Sequence, residues 1–461
     1  MKKLLFSLSI ILFITACKKN GGDTLFVPID TTPVVPAKGD PMPYITIKSN
    51  STIADEPKVN ATMDIRFKDS LIHSEKIAIE IRGAVSQLLY EKKSYGLELK
   101  DDKGNDIAKS LLGLPEEEDW ILHGPYGDKS LIRNAFAYQV ANNIGRYAAR
   151  TKFVELEINS EYKGLYVFME KLKRDKNRID IKKLEPKDND AISVTGGYIL
   201  KLDKTVGEGS RNQNNYTDQN SFPSQYDEFG KPNSRNKTFF MYEYPKMDSI
   251  TAPQKTYIKQ YIQEFEAALA STDFSDDVKG FRKHIDEESF VDYFILTELM
   301  QNFDGYRIST YLQKERGEKL KMGPIWDFDL TLGSNSFCGG MPKSNVWIYQ
   351  YNSYCPTDTW LVPFWWNKLL QDRKFADKVK NRWATLRKNE LTDNSLSKII
   401  DEQVTYLSKT NAIVRNFARW NILNRTIVPN TNTGTHEAEI ENIKSWLRSR
   451  TAWLDTNMAK L

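Results

Sequence analysis

The sequence predicts an α+β protein of two lobes, a β-rich first part and a mainly helical second part. Three observations carry that expectation. Residues 44–100 hold short stretches in which apolar and polar side chains alternate, the period of a half-buried strand. From Ala252 the apolar spacing turns helical and stays so through the last hundred residues. The part able to fold, about 420 residues, is long for a single hydrophobic core.

Taken in order, strands are expected at residues 44–47, 61–67, 77–82 and 95–99. Asp128-Lys129-Ser130 reads as a helix start, with Leu131, Ile132, Ala135, Phe136, Val140, Ala141 and Ile144 at helical spacing and Gly145 as the stop. Residues 153–158 and 164–169 are two more strands joined by a hairpin turn, and 196–202 is another. Residues 205–238 are polar, a long loop or insertion. Tyr257, Ile258, Tyr261, Ile262, Phe265, Ala268 and Leu269 form one helical stripe, and 290–299 a buried helix. Strands at 309–313 and 319–322 run into Ile325-Trp326-Asp327-Phe328-Asp329. No solenoid repeat is present.

The N-terminus is set apart. Met1-Lys2-Lys3 precedes an apolar run over residues 4–14, which suits a signal h-region and is too short to cross a bilayer. Ile14-Thr15-Ala16-Cys17 has the order of a lipobox, which makes Cys17 the lipidated new N-terminus of an exported protein. Residues 18–43 are rich in Gly, Thr and Pro, the composition of a flexible linker. The expected organisation is a signal peptide over 1–17, a linker over 18–43 and a folded domain over 44–461. Within that domain the β-rich lobe covers about 44–203, the polar insertion about 205–238 and the helical lobe about 239–461. The expected location is the cell envelope, on the periplasmic or surface side of a bacterial membrane.

Composition excludes some functions. Lys and Arg number 65 against 61 Asp and Glu, for a net charge of +4, which argues against nucleic acid or another polyanion as partner. Beyond Cys17 there are Cys338 and Cys355, either a disulfide or two separate thiols, and too few for a structural zinc site. The four His, at 73, 123, 284 and 436, form no ligand pattern and read individually as structural or surface residues. No Walker loop, GxGxxG or GxSxG occurs.

Three clusters hold residue types suited to chemistry. In Trp326-Asp327-Phe328-Asp329 an extended backbone points both carboxylates to one side, where they repel unless a cation or a proton sits between them. A hard divalent ion such as Mg²⁺ fits an oxygen-only pair, but a polar turn capping a helix explains the motif equally well. Asn302, Asp304 and Tyr306-Arg307 close a buried helix, as caps or as a site. Arg82-Gly83 and Lys92-Lys93-Ser94-Tyr95 put basic residues on neighbouring strands, for phosphate or for solvent.

In this order the clusters resemble the CotH kinase family, the spore-coat-protein-H-like atypical protein kinases. The matching residues are Ile81-Arg82-Gly83 with Ser86-Gln87, then 92–99, Asp119-Trp120-Ile121-Leu122 and 128–134. Then come NSEYKGLY at 159–166 with Glu170, Gly196-Gly197-Tyr198-Ile199-Leu200, Asn302-Phe303-Asp304 and 323–329. The helical tail, from Arg382-Trp383 through Trp446-Leu447 to 450–455, is also similar, so the likeness covers residues 43–461. It implies an atypical protein-kinase-like two-lobed fold that binds ATP and Mg²⁺. It implies Asp327 and Asp329 as metal ligands, and Asp304 as the aspartate that orients or deprotonates the acceptor hydroxyl, with Asn302 beside it. Lys92 or Lys93 and Arg82 would contact phosphates, Glu170 would lie near adenine, and Arg133 with Asn134 would brace the cleft.

The function expected first is a lipid-anchored, exported kinase that phosphorylates Ser or Thr of exported proteins. The alternative is a non-catalytic binding or assembly lipoprotein on the same fold. A hydrolase or carbohydrate binder, suggested by 10 Trp and 22 Tyr, has no paired glycosidase carboxylates to support it.

Overall fold

Seven strands with period-two alternation roll into a closed barrel in the computed structural model, which describes residues 36–205, 214–232, 238–335 and 343–461. They are β1 (Tyr44–Lys48), β2 (Val59–Phe67), β3 (Ser70–Arg82), β4 (Ser94–Lys100), β5 (Asp119–His123), β6 (Thr151–Ile158) and β7 (Glu161–Glu170). The order around the barrel is β1-β2-β3-β4-β5-β7-β6, and parallel pairing of β1 with β6 closes it. Closure removes the exposed strand edges that an open sheet would leave. Ile45, Ile47, Met63, Ile65, Ile77, Ile79, Leu97 and Leu99 point inward, and Trp120 stacks on Phe168 with ring centroids 5.0 Å apart.

Strands β5 and β7 form a wall shared by two cores. Trp120, Leu122, Tyr166 and Phe168 face the barrel interior, while Ile121, Leu165, Val167 and Met169 belong to the larger core outside it. A strand buried on both faces shows no alternation, which is why β5 was not among the expected strands.

The second sheet is antiparallel, in the order β12-β11-β8-β10-β9. It contains β8 (Tyr198–Leu202), β9 (Ser221–Pro223), β10 (Phe239–Tyr244), β11 (Thr310–Lys314) and β12 (Leu320–Met322). The expected boundary after residue 203 is therefore corrected: β8 pairs with β10 and β11, not with the barrel. The chain is a mixed α/β protein with a β-rich N-terminal region and helices toward the C-terminus, but the helical part carries a sheet of its own.

The described helices are α1 (Val85–Leu89), α2 (Arg133–Asn143), α3 (Ala252–Ala270), α4 (Glu287–Met300), α5 (Tyr351–Tyr354), α6 (Trp365–Leu369), α7 (Arg373–Leu386), α8 (Asp393–Lys409), α9 (Ala412–Arg419) and α10 (His436–Met458). Helix α3 opens with a capping box, Thr251 with Gln254. Helix α4 is capped by Asp286, is buried almost all round, and stops where Gln301 turns left-handed at φ 53°. Helix α2 begins later than expected. Asp128 accepts from the Ser130 N–H (3.0 Å) and the Arg133 N–H (3.0 Å), and Leu131 stands at φ 67°, so residues 128–132 are a turn.

Part of the expected linker is docked. The Gly39 and Asp40 N–H groups donate to the Thr410 and Lys409 carbonyls (3.1 and 2.8 Å), Asn411 donates to the Ala37 carbonyl, and Arg415 to that of Pro36. Met42 is buried. Residues 36–43, expected as part of the linker, thus pack with the folded domain. Cys17, the signal segment and Cys338 lie outside the described residues; Cys355 is disulfide-bonded.

One buried acid makes stability depend on pH. Glu266 on α3 is 1% exposed, between the Ser224 hydroxyl (2.8 Å) and the Trp365 indole N–H (3.0 Å), and burial pushes its carboxyl from 4.5 up to about 7. Between those values the native state holds a proton that the unfolded chain has lost. Stability therefore falls as pH rises through that window. Glu266→Gln is expected to remove a loss of about 3 kcal/mol between pH 4.5 and 8, read as the difference from wild type in urea unfolding at the two pH values. Equal pH dependence in both proteins would contradict this.

Candidate active site

Six segments come together near the aspartates, and each contributes a side chain. Helix α4 stops at its left-handed cap and presents Asn302 and Asp304. Strand β8 ends at Leu202 and is followed by Asp203 and Lys204. Leu202 is paired with Thr310, so Asp203 comes beside Ser309 at the start of β11. The segment after β12 carries Asp327 and Asp329. Helix α2 supplies Asn134 and Tyr138, and Arg82 ends β3.

The Asp-Phe-Asp segment is not the extended stretch the sequence suggests. Asp327 has φ 63°, a left-handed turn for a residue with a side chain. Three hydrogen bonds hold it. Its N–H donates to the Tyr138 hydroxyl (3.2 Å), Asn302 Nδ2 donates to its carbonyl (3.2 Å), and the next N–H, of Phe328, donates to Asn134 Oδ1 (2.7 Å). Phe328 is fully buried and anchors the turn. The two carboxylates lie within reach of each other's charge, and the turn brings them there rather than strand alternation.

Electrostatics mark the centre as crowded. Burial first, then the charges of Asp304 and Asp203, push Asp327 up to about 6, against the Ser309 hydroxyl (3.2 Å from Oδ2) and Lys204. Burial, then Asp327, Asp128 and Asp304, hold Asp329 well above the usual carboxylate range. Burial raises Asp304, opposed by Arg307 (3.3 Å) and Lys204. Buried like charges that raise one another are relieved by protons or cations. The donors are all oxygen, which fits a hard divalent ion such as Mg²⁺. A tighter acidic trio, Glu117, Glu118 and Asp119, lies elsewhere and is neutralised by Lys173, at 3.2, 2.6 and 2.7 Å.

Of the expected cofactor-binding residues, Arg82 alone comes beside the aspartate segment. Its guanidinium lies over Trp326 at 5.6 Å, and Trp326 stacks on Tyr138. The others are corrected. Lys92 is 2% exposed and gives its ammonium to the Leu165 carbonyl (2.5 Å) and Asn416 (2.8 Å), which ties the barrel to α9. Lys93 donates to the carbonyls of Gln87 and Tyr90 (both 2.6 Å) and closes the loop around α1. Glu170 is fully buried in an ion pair with Arg150 (2.7 Å), with the Tyr147 hydroxyl donating to it (3.1 Å). Arg133, also fully buried, is spent on Asp128 (2.5 Å), Glu439 (2.6 Å) and the Thr331 carbonyl (2.9 Å). It braces the site without reaching a ligand.

Five site residues were not singled out from sequence: Asp203, Lys204, Ser309, Tyr138 and His123. Asn134 Oδ1 accepts from Phe328, so its Nδ2 faces His123 Nε2 (3.3 Å), which must accept and is unprotonated. Burial, with the nearby cations Arg82 and Lys92, accordingly pushes this imidazole down to about 4, against the pull of Asp128. His123 supports Asn134, and Asn134 supports the aspartate turn.

The placement of Lys92 has a direct test. Lys92→Met removes a buried donor from the Leu165 carbonyl and from Asn416 Oδ1, which keeps only the Leu165 N–H, and is expected to cost about 1–3 kcal/mol in urea unfolding. A lysine that bound phosphate would instead lower nucleotide affinity at little cost in stability, and that pattern would overturn the assignment.

No curated protein matches the chain. A family model for the CotH kinase protein matches residues 79–454, a span that takes in the barrel from its third strand, the second sheet and every aspartate of the site. The chain belongs to the CotH kinase family.

Proposed function

We propose that the protein is an exported, lipid-anchored atypical kinase that transfers the γ-phosphoryl group of ATP to a Ser or Thr hydroxyl of an exported protein. The observation that carries this reading is the grouping of Asp304, Asp327 and Asp329, the first two tied together through Asn302 and all three raised by burial. In this reading the second sheet and its helices stand for the larger lobe of a kinase and the barrel for the smaller one. Cys17 would hold the domain at the membrane, with residues 18–35 as tether; no helix among the described residues is long and apolar enough to cross a bilayer.

Asp327 and Asp329 would hold Mg²⁺, which supplies charge neutralisation on the phosphate oxygens. Asp304 orients the acceptor hydroxyl. As the hydroxyl oxygen bonds to the γ-phosphorus, the bond from that phosphorus to the β,γ-bridging oxygen breaks. The hydroxyl proton passes to Asp304 and ADP leaves. Burial of Asp304 raises its proton affinity, which suits that role.

A second reading is a non-catalytic assembly lipoprotein on this fold. The spending of Lys92, Lys93, Glu170 and Arg133 on internal contacts favours it.

Calorimetry on the chain from Val35 onward separates the two. The kinase reading expects saturable ATP binding that needs Mg²⁺ and is lost in Asp327→Ala. It expects Asp304→Asn to bind ATP but lose transfer by about a hundredfold or more. Absence of binding, or binding indifferent to Asp327, would leave the scaffold.

A further inference from the structure

Two cations near the aspartates have no ion-pair partner among the described residues, and each lies on a tryptophan. Arg82 stands over Trp326, and Lys204 Nζ lies 5.3 Å from the centre of the Trp360 ring. Asp203, the residue just before Lys204, does not draw that ammonium in. One carboxylate oxygen accepts the Lys204 N–H (2.9 Å), and the other pairs with Lys201 (2.5 Å). Asp304 is already paired with Arg307 (3.3 Å). Lys204 nevertheless lies close enough to Asp304 and Asp327 to lower both against the effect of burial.

The platform beneath Lys204 is itself fixed. The Trp360 N–H donates to Asp358 (2.9 Å), its indole N–H to the Tyr216 hydroxyl (3.3 Å), and its carbonyl accepts from Arg307 (3.0 Å). The same Arg307 therefore holds both Asp304 and the ring that carries Lys204. A lysine side chain has large rotamer freedom, and an aromatic face restrains it without neutralising it.

We infer that Lys204 is the residue that contacts the transferable phosphoryl group, its ammonium meeting the γ-phosphate oxygens beside Asp304 and Asp327. The inference rests on the phosphotransfer reading and names the cation that Lys92 and Lys93 do not supply. Phosphoryl transfer needs positive charge on those oxygens as the group moves. A lysine supplies it as a point charge on a flexible stem. Such a contact exists with a triphosphate and disappears with a diphosphate.

Titration calorimetry with Mg-ATP and with Mg-ADP, on the full chain and on Lys204→Met, reads that difference. Methionine keeps the apolar stem on Trp360 and removes the charge. Wild type is expected to bind ATP more tightly than ADP. Lys204→Met is expected to lose about tenfold or more in ATP affinity, with ADP affinity kept within about twofold. Lys204→Gln, measured alongside, should show the same split, and unchanged circular dichroism controls for folding. Equal loss of both nucleotides, or no loss of either, would overturn the role of Lys204 and leave the kinase reading standing. Wild type that binds neither nucleotide would overturn both.

Discussion

The rest of the site hangs on one buried guanidinium. Arg133 is fully enclosed, and its fork meets Asp128 in the turn before α2, Glu439 on α10 and the Thr331 carbonyl just past the aspartate turn. These groups lie far apart in sequence, so a single side chain fixes the barrel's neighbouring helix, the C-terminal helix and the loop carrying Asp329 in one frame. Removing one partner of such a buried pair leaves an uncompensated charge, at a cost of about 3–5 kcal/mol. The family resemblance gives Arg133 a place in the cleft, and the structure gives it a structural meaning there: it sets the distance between elements that hold the reactive groups.

Strain collects where that frame meets the site. Leu131, Gln301, Tyr306, Ser309, Asp327 and Leu332 all have positive φ, and none is glycine. Each left-handed side-chain residue costs roughly 1–2 kcal/mol. At Asp327 the cost is offset by the bonds to Tyr138 and Asn302 and by the burial of Phe328. Residues held this way cluster where geometry matters more than local stability. The chain spends strain on turning two carboxylates toward one point, and the second sheet brings Asp203 to the same place from a strand more than a hundred residues upstream.

The fold was legible in sequence wherever a strand or helix has one wet face. The barrel strands β1 to β4 alternate cleanly, and α3 shows its stripe. It was less legible where an element is buried on both sides: β5 reads as a plain apolar run because Trp120 and Ile121 face different cores. The aspartates were legible as motifs because Asp304 and Asp327 stand in short, unusual contexts. The basic residues were not. Whether Lys92 points to solvent, to phosphate or to the Leu165 carbonyl depends on the packing of α9 against β7, which no local pattern encodes. Lys204 was hidden for the same reason. Its meaning comes from the pairing of β8 with β11 and from Trp360, which lies far along the chain.

The same long-range placement decides the charge of the centre. Asp203, Asp304, Asp327 and Asp329 approach from three separate segments. Lys201 neutralises Asp203, and Arg307 is shared between Asp304 and Asp358. Asp327 and Asp329 are left with no cation of their own within ion-pair distance among the described residues, and, as at Asp304, the charges of neighbouring aspartates add to the rise that burial causes. Such a centre has two ways to relieve its repulsion: hold protons, or accept a cation from outside. Burial makes the first costly to reverse at low pH and the second more favourable as pH rises and the carboxyls ionise. Arg82 and Lys204 lie on their tryptophans and form no ion pair with these carboxylates among the described residues, so acids and cations stand side by side without neutralising one another, the arrangement that the phosphotransfer reading needs for a cation and the anion that travels with it.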